Sequence, residues 1–594
     1  MTLTGGMVVS RALGRYGIRT VFAVAGASHT HLLDALDRDG LQIVSNRHES
    51  GCVSAADGYA RLTGRLGVAL IIADQGTPNA INGIATAFHA CSPVLVLIAR
   101  LPNSWTEAEA EYDNAKHPLV GSISKWSRTV PTAERLAEYI DVAAKRALSG
   151  RRGPVVLQIP QEFFAATLAD AGAAAQPAPS LSRAAADPTA ISEAAQLLRD
   201  AKRPLLIAGA GACQGGAGES LATLSRQFGI PIAGNGLGRG VVPEDSQHSF
   251  SWPLMQIVAK EADVVCVVGA RLKQRLGYGL PPRFAPQAKF IQIDVEAEEL
   301  SRNRRIDVPI AADAGLAAAQ LLAAVQAHRS ATDASATGLG TADAEINDEA
   351  LQQRGLWVRE ALQERLSYLD ALAAEPLPND AIHPLTLGRI IAEVVPEDSV
   401  FVGDGADIQN WMYGALRIRE APGFLDHYPM GAMGVGTPLA VGAAAAAREL
   451  AVPGAKCRTV ILTTGDGSFG FYPAELHAAA RAGLKLICVV GNDGAWGTEL
   501  HGQLKALGRS VNTELGFLRY DKVGEGFGCR GEHVEQLAQL RPALERALAH
   551  DGPTVINVLI DREAGATLKT DPRVQMILFD DLASNLKTQH SFAG

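Results

Sequence analysis

Thr459-Val460-Ile461-Leu462-Thr463-Thr464 runs straight into Gly465-Asp466-Gly467-Ser468, and a helical segment with Glu475, Leu476 and Ala478-Ala479-Ala480 follows. An apolar run, a glycine turn and a helix, in that order, form the repeating unit of an α/β sheet. The unit recurs at once: Leu486–Val490 ends in Gly491-Asn492-Asp493-Gly494, with 27 residues from Asp466 to Asp493. A strand that is apolar on both faces and is followed by a helix belongs to a parallel sheet covered on both sides. Two such strands in succession bring their carboxyl ends, and so Asp466 and Asp493, to the same edge.

The same rhythm extends in both directions. Thr20–Ala25, Gly67–Ala73, Pro93–Ile98 and Pro154–Ile159 read as strands of a first block. Pro204–Ala208, Ile230–Ala233, Val264–Val268 and Phe290–Ile293 read as strands of a second, and Val400–Val402, Thr459–Thr463, Leu486–Val490 and Thr554–Ile560 of a third. Between the blocks the chain turns small and polar. The expectation is an α/β protein of three doubly wound parallel-sheet domains, over residues 1–180, 190–326 and 376–565, with a linker over 327–375 and a tail over 566–594.

Of the 594 residues, 47% are hydrophobic and 20% charged, which excludes a disordered chain. Lys plus Arg number 54 against 63 Asp plus Glu, a net charge of −9. That sign argues against a general nucleic-acid binder and leaves room for a local basic pocket. The seven cysteines are scattered, with no Cys-x-x-Cys, so neither a disulfide framework nor a structural zinc site is expected. No signal-peptide pattern opens the chain, and no apolar run reaches about 18 residues. These features predict a cytoplasmic protein without a membrane span.

A Gly-Asp-Gly turn at a strand end lets backbone N–H groups approach an anion, and the following helix adds the positive end of its dipole. The carboxylate is a hard oxygen ligand for a Mg²⁺ that bridges phosphates. As a bare tripeptide, Gly-Asp-Gly is equally the mark of a plain turn. The second carboxylate, Asp493 at the end of the next strand, points to a Mg²⁺–diphosphate site. In the first block, Asn46-Arg47-His48-Glu49 follows the strand Ile43–Val44 and opens an Ala/Gly-rich helix. Glu49 is there either a solvated partner of the helix dipole or a carboxyl in an apolar pocket, able to share a proton with a ligand nitrogen.

Together these residues resemble the thiamine diphosphate (ThDP) enzymes of the acetolactate synthase superfamily, over nearly the whole chain. Val21-Phe22 to Gly26, Arg47-His48-Glu49, Gly58-Tyr59-Ala60-Arg61 and Ser92-Pro93-Val94 look like a pyrimidine-binding domain. Gly269-Ala270-Arg271 looks like part of a central domain, and Gly431-Ala432-Met433-Gly434-Val435-Gly436 with the Gly-Asp-Gly to Asn-Asp stretch looks like a diphosphate-binding domain. The resemblance implies that Glu49 hydrogen-bonds the aminopyrimidine N1′ and that Met433 supports the cofactor. It implies that Asp466 and Asp493 hold Mg²⁺ by their side chains and Ala495 by its carbonyl. Gly465, Gly467, Ser468, Trp496, Gly497 and Thr498 would surround the cofactor, Asp404-Gly405-Ala406 would add a diphosphate contact, and Asn79 would sit in a loop facing the site. Ser28, His29 and Glu499 are the substrate-side catalytic candidates. Glu499 is placed to protonate a carbanion, and a solvated loop position is the other reading of it and of His29.

Within the superfamily, Trp496-Gly497 and Leu500-His501 resemble benzaldehyde lyase, while Gly470-Phe471 and the Phe527-Gly528 to Arg530-Gly531 turn resemble the 2-hydroxyacyl-CoA lyases. Ala110-Glu111-Tyr112-Asp113 stands where acetolactate synthases usually carry Phe-Gln-Glu, which argues against that activity. Arg271, Lys273 and Arg275, with Arg302, Arg304 and Arg305, concentrate positive charge in the middle of an acidic protein and suit the phosphates of CoA; a solvated charged face is the alternative. Acetolactate synthases place a flavin against this domain, so FAD is a competing occupant, although Gly209-Ala210-Gly211 is not a full dinucleotide fingerprint. In the tail, Lys569 and Arg573 could reach a phosphate and Val574, Met576, Ile577 and Leu578 could close as a lid. The expected activity is that of a ThDP- and Mg²⁺-dependent carbon–carbon lyase. Its preferred reaction is cleavage of a 2-hydroxyacyl-CoA to an aldehyde or ketone plus formyl-CoA, and the reverse acyloin-type condensation. The alternative is benzaldehyde-lyase-like or acetolactate-synthase-like carboligation of free 2-oxo acids or 2-hydroxyketones. By the same resemblance the protein is at least a homodimer, and a homotetramer is expected.

Overall fold

The computed structural model describes residues 2–574, apart from 74, 109–116, 170–176, 338–353, 453, 455 and 572. Three six-stranded sheets follow one another along the chain, and every strand pair in them is parallel. With strands counted in chain order within each sheet, the first and third sheets both run 2-1-3-4-6-5, whereas the central sheet runs 3-2-1-4-5-6. The first and last domains therefore share a topology without a visible sequence repeat. In the third sheet Gly465 pairs with Gly491 as the last rung between the strands Val460–Gly465 and Leu486–Asn492. Asp466 and Asp493 consequently emerge together just beyond that rung.

The interior strands lie where the apolar runs place them. Five strands that those runs do not announce, Trp126–Thr129, Ser249–Ser251, Val308–Ala311, Phe424–Asp426 and Arg530–Val534, all lie at sheet edges. An edge strand pairs on one side only and is short or half-exposed, so it lacks the continuous apolar run.

The stretch 327–375, read from composition as a linker, is largely helical where it is described. The helix Ala314–Thr337 runs into it, and Leu356–Ala374 buries Val358, Leu362 and Leu369 in a core shared with the central and C-terminal domains. The spacing of those apolar residues is helical, a signal that the small polar residues before them mask. In the tail, the helix Ala564–Thr570 is followed by a fully buried Val574, whose carbonyl accepts from Asn410 Nδ2 at 3.2 Å. Arg573 pairs with Asp571 at 2.8 Å and lies over the Tyr368 ring. Met576, Ile577 and Leu578, like Ala110–Asp113, lie outside the described residues. Among the described residues no helix is long and apolar enough to cross a membrane.

The first and third domains meet along two helices, Glu49–Thr63 and Gly436–Leu450. Reciprocal glycines set their approach. A Cβ on Gly58 would lie 2.1 Å from the Leu439 carbonyl oxygen, and one on Gly442 would lie 1.8 Å from that of Ala55. Neither backbone can yield without parting the helices. Gly442→Ala is therefore expected to destabilise the protein by about 3 kcal/mol, read as a lower midpoint in thermal or urea unfolding; an unchanged midpoint would contradict this packing.

Candidate cofactor site

The third sheet reverses strand order between Val400–Gly403 and Val460–Gly465, and ligands of open parallel sheets bind in the crevice outside such strand ends. The cavity there is lined by Gly405, Ala406, Asp407, Met433, Gly465–Ser468, Asp493 and Ala495–Glu499. Small residues keep it open. A Cβ on Gly467 would lie 2.5 Å from the Trp496 ring, and one on Gly497 would lie 2.5 Å from an oxygen of both Asp407 and Asp493.

Asp466 is 2% exposed; its Oδ1 accepts from the Gly467 N–H at 2.8 Å, and no donor among the described residues reaches its buried Oδ2. Asp493 accepts from the Ala495 N–H at 3.2 Å. Burial raises both carboxyls above the ordinary range, and a neighbouring carboxylate adds to this: Asp493 acts on Asp466, and Asp407 on Asp493. Buried carboxyls this close cannot all ionise without a cation, and hard oxygen donors with one orphaned lone pair suit Mg²⁺. Among the described residues no group of three or more His, Cys, Asp or Glu side chains forms a metal cage. Two carboxylates and a backbone carbonyl leave positions free for phosphate oxygens, the usual habit of Mg²⁺. The residues present thus fit a metal-bound diphosphate. Asn492 turns away, its Nδ2 donating to the Leu518 carbonyl at 2.9 Å and to Asn557 Oδ1 at 3.1 Å.

Asp404 differs from expectation. Its fully buried carboxylate accepts from the N–H groups of Gly405 (2.7 Å), Gly434 (3.2 Å) and Gly436 (2.9 Å), and His427 Nδ1 lies 3.1 Å away. It fixes the turn that carries Met433 and does not line the cavity, whereas Gly405 and Ala406 do. Ser468 Oγ approaches Met433 Sδ at 3.8 Å from the other side.

Glu49 is the first residue of its helix, whose N-terminus is capped by His48 Nδ1 accepting from the Ser50 N–H at 3.1 Å. At 5% exposure it is a buried carboxyl, not a solvated one, and Asn79 Nδ2 donates to its Oε2 at 3.1 Å. Glu49 is not among the residues lining the Asp466 cavity. Glu499 is exposed at the cavity's rim and Ser28 is half-buried. His29 is fully buried, and its Nε2 accepts from the Gly26 N–H at 3.1 Å. Burial lowers it to about 4, so at neutral pH it is an uncharged local cap, a poorer proton donor than its sequence position suggests.

Asp407 is a site residue that the sequence reading did not single out. It accepts from Thr498 Oγ1 at 2.6 Å, and burial raises its carboxyl against the pull of Thr498, His501 and Lys569. Its place at a helix N-terminus makes it look like an ordinary dipole partner in the sequence.

A second cavity, of about 640 Å³, opens where the central sheet reverses between Pro204–Ala208 and Val264–Val268. All three domains border it: Arg151 and Arg152 from the first, Gly209–Gly211, Arg271, Lys273 and Arg275 from the second, and Asp426 and Tyr428 from the third. Arg271 donates to the His89 carbonyl, while its buried Nη1 has no partner among the described residues. Arg275 pairs with Asp426 at 3.0 Å and lies 3.7 Å over the Tyr428 ring. Arg302, Arg304 and Arg305 do not line this cavity. Arg302 pairs with Glu299 at 3.1 Å, Arg304 donates to the carbonyls of Gly279 (2.6 Å) and Ala288 (2.7 Å), and Arg305 is exposed. Proximity in sequence grouped them with Arg271, but the fold turns them elsewhere.

Three family models match the chain: the thiamine pyrophosphate enzyme N-terminal TPP binding domain over residues 3–118, the central domain over 191–321 and the C-terminal TPP binding domain over 404–558. The chain is 32% identical over 570 residues to a probable acetolactate synthase of Mycobacterium bovis, covering 94% of this chain and 96% of that one. It is 28% identical over 582 residues to 2-hydroxyacyl-CoA lyase 1 of Mus musculus, covering 95% of each. The fold is shared with the thiamine diphosphate-dependent 4-hydroxybenzoylformate decarboxylase of Rhodococcus jostii RHA1, at a TM-score of 0.77 and 22% identity over 94% of this chain and 99% of that one.

Proposed function

Because the chain belongs to the thiamine diphosphate enzymes of the acetolactate synthase superfamily, we propose that it is a Mg²⁺-dependent carbon–carbon lyase acting on a 2-hydroxyacyl-CoA. The products are an aldehyde or ketone and formyl-CoA, and the reverse condensation runs on the same site. The observation that carries the CoA reading is the cavity between the three domains, with Arg151, Arg152, Arg271 and Lys273 on its walls in a protein of net charge −9. Guanidinium and ammonium groups at a sheet's switch point suit the phosphates of a nucleotide.

ThDP, when bound, would supply the nucleophilic carbon and the electron sink that breaking a bond beside a carbonyl requires. Asp466, Asp493 and the Ala495 carbonyl would hold its Mg²⁺, and the backbone N–H groups of the Gly465–Ser468 turn would receive the diphosphate. Glu49 holds a proton between its carboxyl and the pyrimidine N1′, and its burial keeps water from that exchange. Glu499, at the rim, moves a proton to and from the substrate. Since Glu49 and the Asp466 cavity are separate in one chain, a second subunit completes each site, in a dimer at least. Phe471 and Phe517, 53% and 57% exposed near that cavity, suit such a cover.

Purified protein with ThDP and Mg²⁺, offered a 2-hydroxyacyl-CoA and a free 2-hydroxyketone in parallel, tests the reading by product mass. Formyl-CoA from the first substrate supports it. Arg271→Ala with Lys273→Ala is then expected to raise KM for the CoA thioester by about tenfold or more and to leave any turnover of the small ketone unchanged. The second reading, carboligation of free 2-oxo acids with FAD in the central cavity, is favoured by the higher identity to an acetolactate synthase. Flavin absorbance in the purified protein, with no CoA-dependent product, would replace the first reading by the second.

A further inference from the structure

Glu475 stands nine residues beyond Asp466, on the short helix Glu475–Arg481 of the C-terminal domain, yet its carboxylate serves the N-terminal domain. It is 1% exposed. Oε2 accepts from Asn46 Nδ2 at 2.7 Å, and Oε1 accepts from the N–H groups of Arg47 at 3.1 Å and His48 at 2.9 Å. These are the three residues that immediately precede Glu49. Gly51, two residues beyond Glu49 in the first turn of that helix, is bare to admit it: a Cβ there would lie 2.2 Å from Glu475 Oε1. The neighbours of Glu475 tighten the same grip. The Tyr472 ring meets the His48 ring edge-on at 5.4 Å, and Arg47 Nε donates to His477 Nδ1 at 3.1 Å.

We propose that Glu475 is the positioning residue for Glu49: by holding Asn46, Arg47 and His48 from the opposite domain, it fixes where the helix Glu49–Thr63 begins and so where the Glu49 carboxyl points. Side-chain contacts of Glu49 itself do not do this, since a single hydrogen bond, from Asn79, reaches it among those resolved in the described residues. A carboxylate accepting three donors in a buried place is a stiff anchor, because each unmade bond would leave a buried polar group without a partner. Burial pushes the Glu475 carboxyl up to about 7, against the pull of those donors and of the Arg47 charge. The inference rests on Glu49 facing the pyrimidine of bound ThDP.

The test compares Glu475→Gln, Glu475→Ala and Glu49→Gln with wild type. Four quantities are read: the thermal midpoint of the cofactor-free protein, ThDP affinity by calorimetry with Mg²⁺, deuterium exchange at the thiazolium C2 of bound ThDP, and kcat against KM. Gln keeps the size and one acceptor oxygen, so Glu475→Gln is expected to keep the fold and the substrate KM, and to slow C2 exchange and kcat together by about tenfold to a hundredfold. Glu475→Ala, with all three donors stranded, is expected to be slower still. Wild-type exchange and kcat in Glu475→Gln, beside an inactive Glu49→Gln, would overturn the positioning role alone. Wild-type exchange in Glu49→Gln would remove the Glu49 reading, and this inference with it.

Discussion

Glu49→Gln is expected to lower kcat by about a thousandfold or more and to leave the fold intact. The substitution is isosteric. Asn79 Nδ2, which donates to Glu49 Oε2 at 3.1 Å, can donate to the amide oxygen instead, and Glu49 is not charge-paired by a basic side chain in any ion pair resolved among the described residues. Packing against Gly76, whose Cβ would stand 3.2 Å from Glu49 Cγ, is unchanged. What the variant loses is the capacity to hold and release a proton in a pocket that excludes water, where no solvent molecule can replace it. Product formation under saturating substrate, ThDP and Mg²⁺, with circular dichroism and a thermal midpoint on the same samples, separates a lost proton from a lost fold. Activity within tenfold of wild type would end the case for Glu49 as the proton-sharing residue.

Asp466→Ala is expected to weaken Mg²⁺-dependent ThDP binding by at least about a hundredfold, with an opposite and diagnostic effect on the cofactor-free protein. Without cofactor, burial raises the Asp466 carboxyl and the neighbouring Asp493 raises it further, so removing the Asp466 carboxyl relieves that conflict. The cofactor-free variant is therefore expected to unfold at the same temperature as wild type or higher. The midpoint gain that wild type shows with ThDP and Mg²⁺ should vanish. A variant destabilised without cofactor would mean that Asp466 is a structural group. The separation of Glu49 from the Asp466 cavity adds a second expectation. Mixing inactive Glu49→Gln with inactive Asp466→Ala under subunit exchange should restore activity, because some mixed dimers hold one intact site. No recovery after demonstrated exchange would place both half-sites in a single subunit.

The fold was legible in the chain because a buried parallel strand must be apolar on both faces, so the runs at Val264–Val268, Val460–Ile461-Leu462 and Leu486–Val490 announce themselves. Edge strands such as Phe424–Asp426 and Arg530–Val534 carry no such run and appear only once the sheet exists to pair with them. The pairing of the two carboxylates was legible for a related reason: Asp466 and Asp493 each follow their strand directly, so local order and sheet register suffice to bring them together. Asp404 shows the limit of that logic. It too follows a strand, but whether its carboxylate faces the cavity or the Gly434–Gly436 turn is decided by residues 30 and 32 positions away. Glu475 and Asp407 were opaque because their partners are distant in sequence or indistinguishable from helix-terminal charges; the bond from Asn46 to Glu475 spans 429 residues. The basic residues failed differently. Arg271 and Arg304 look alike in sequence, and only the fold gives one a cavity and the other a set of carbonyls.

The most direct trial of the account is a calorimetric titration of ThDP into metal-stripped wild-type protein, before and after addition of Mg²⁺. The account predicts one ThDP per chain, bound tightly with Mg²⁺ present and at least about a hundredfold more weakly without it, since the cavity then presents adjacent buried carboxyls to a diphosphate. No saturable binding with Mg²⁺, or an affinity indifferent to the metal, would contradict it.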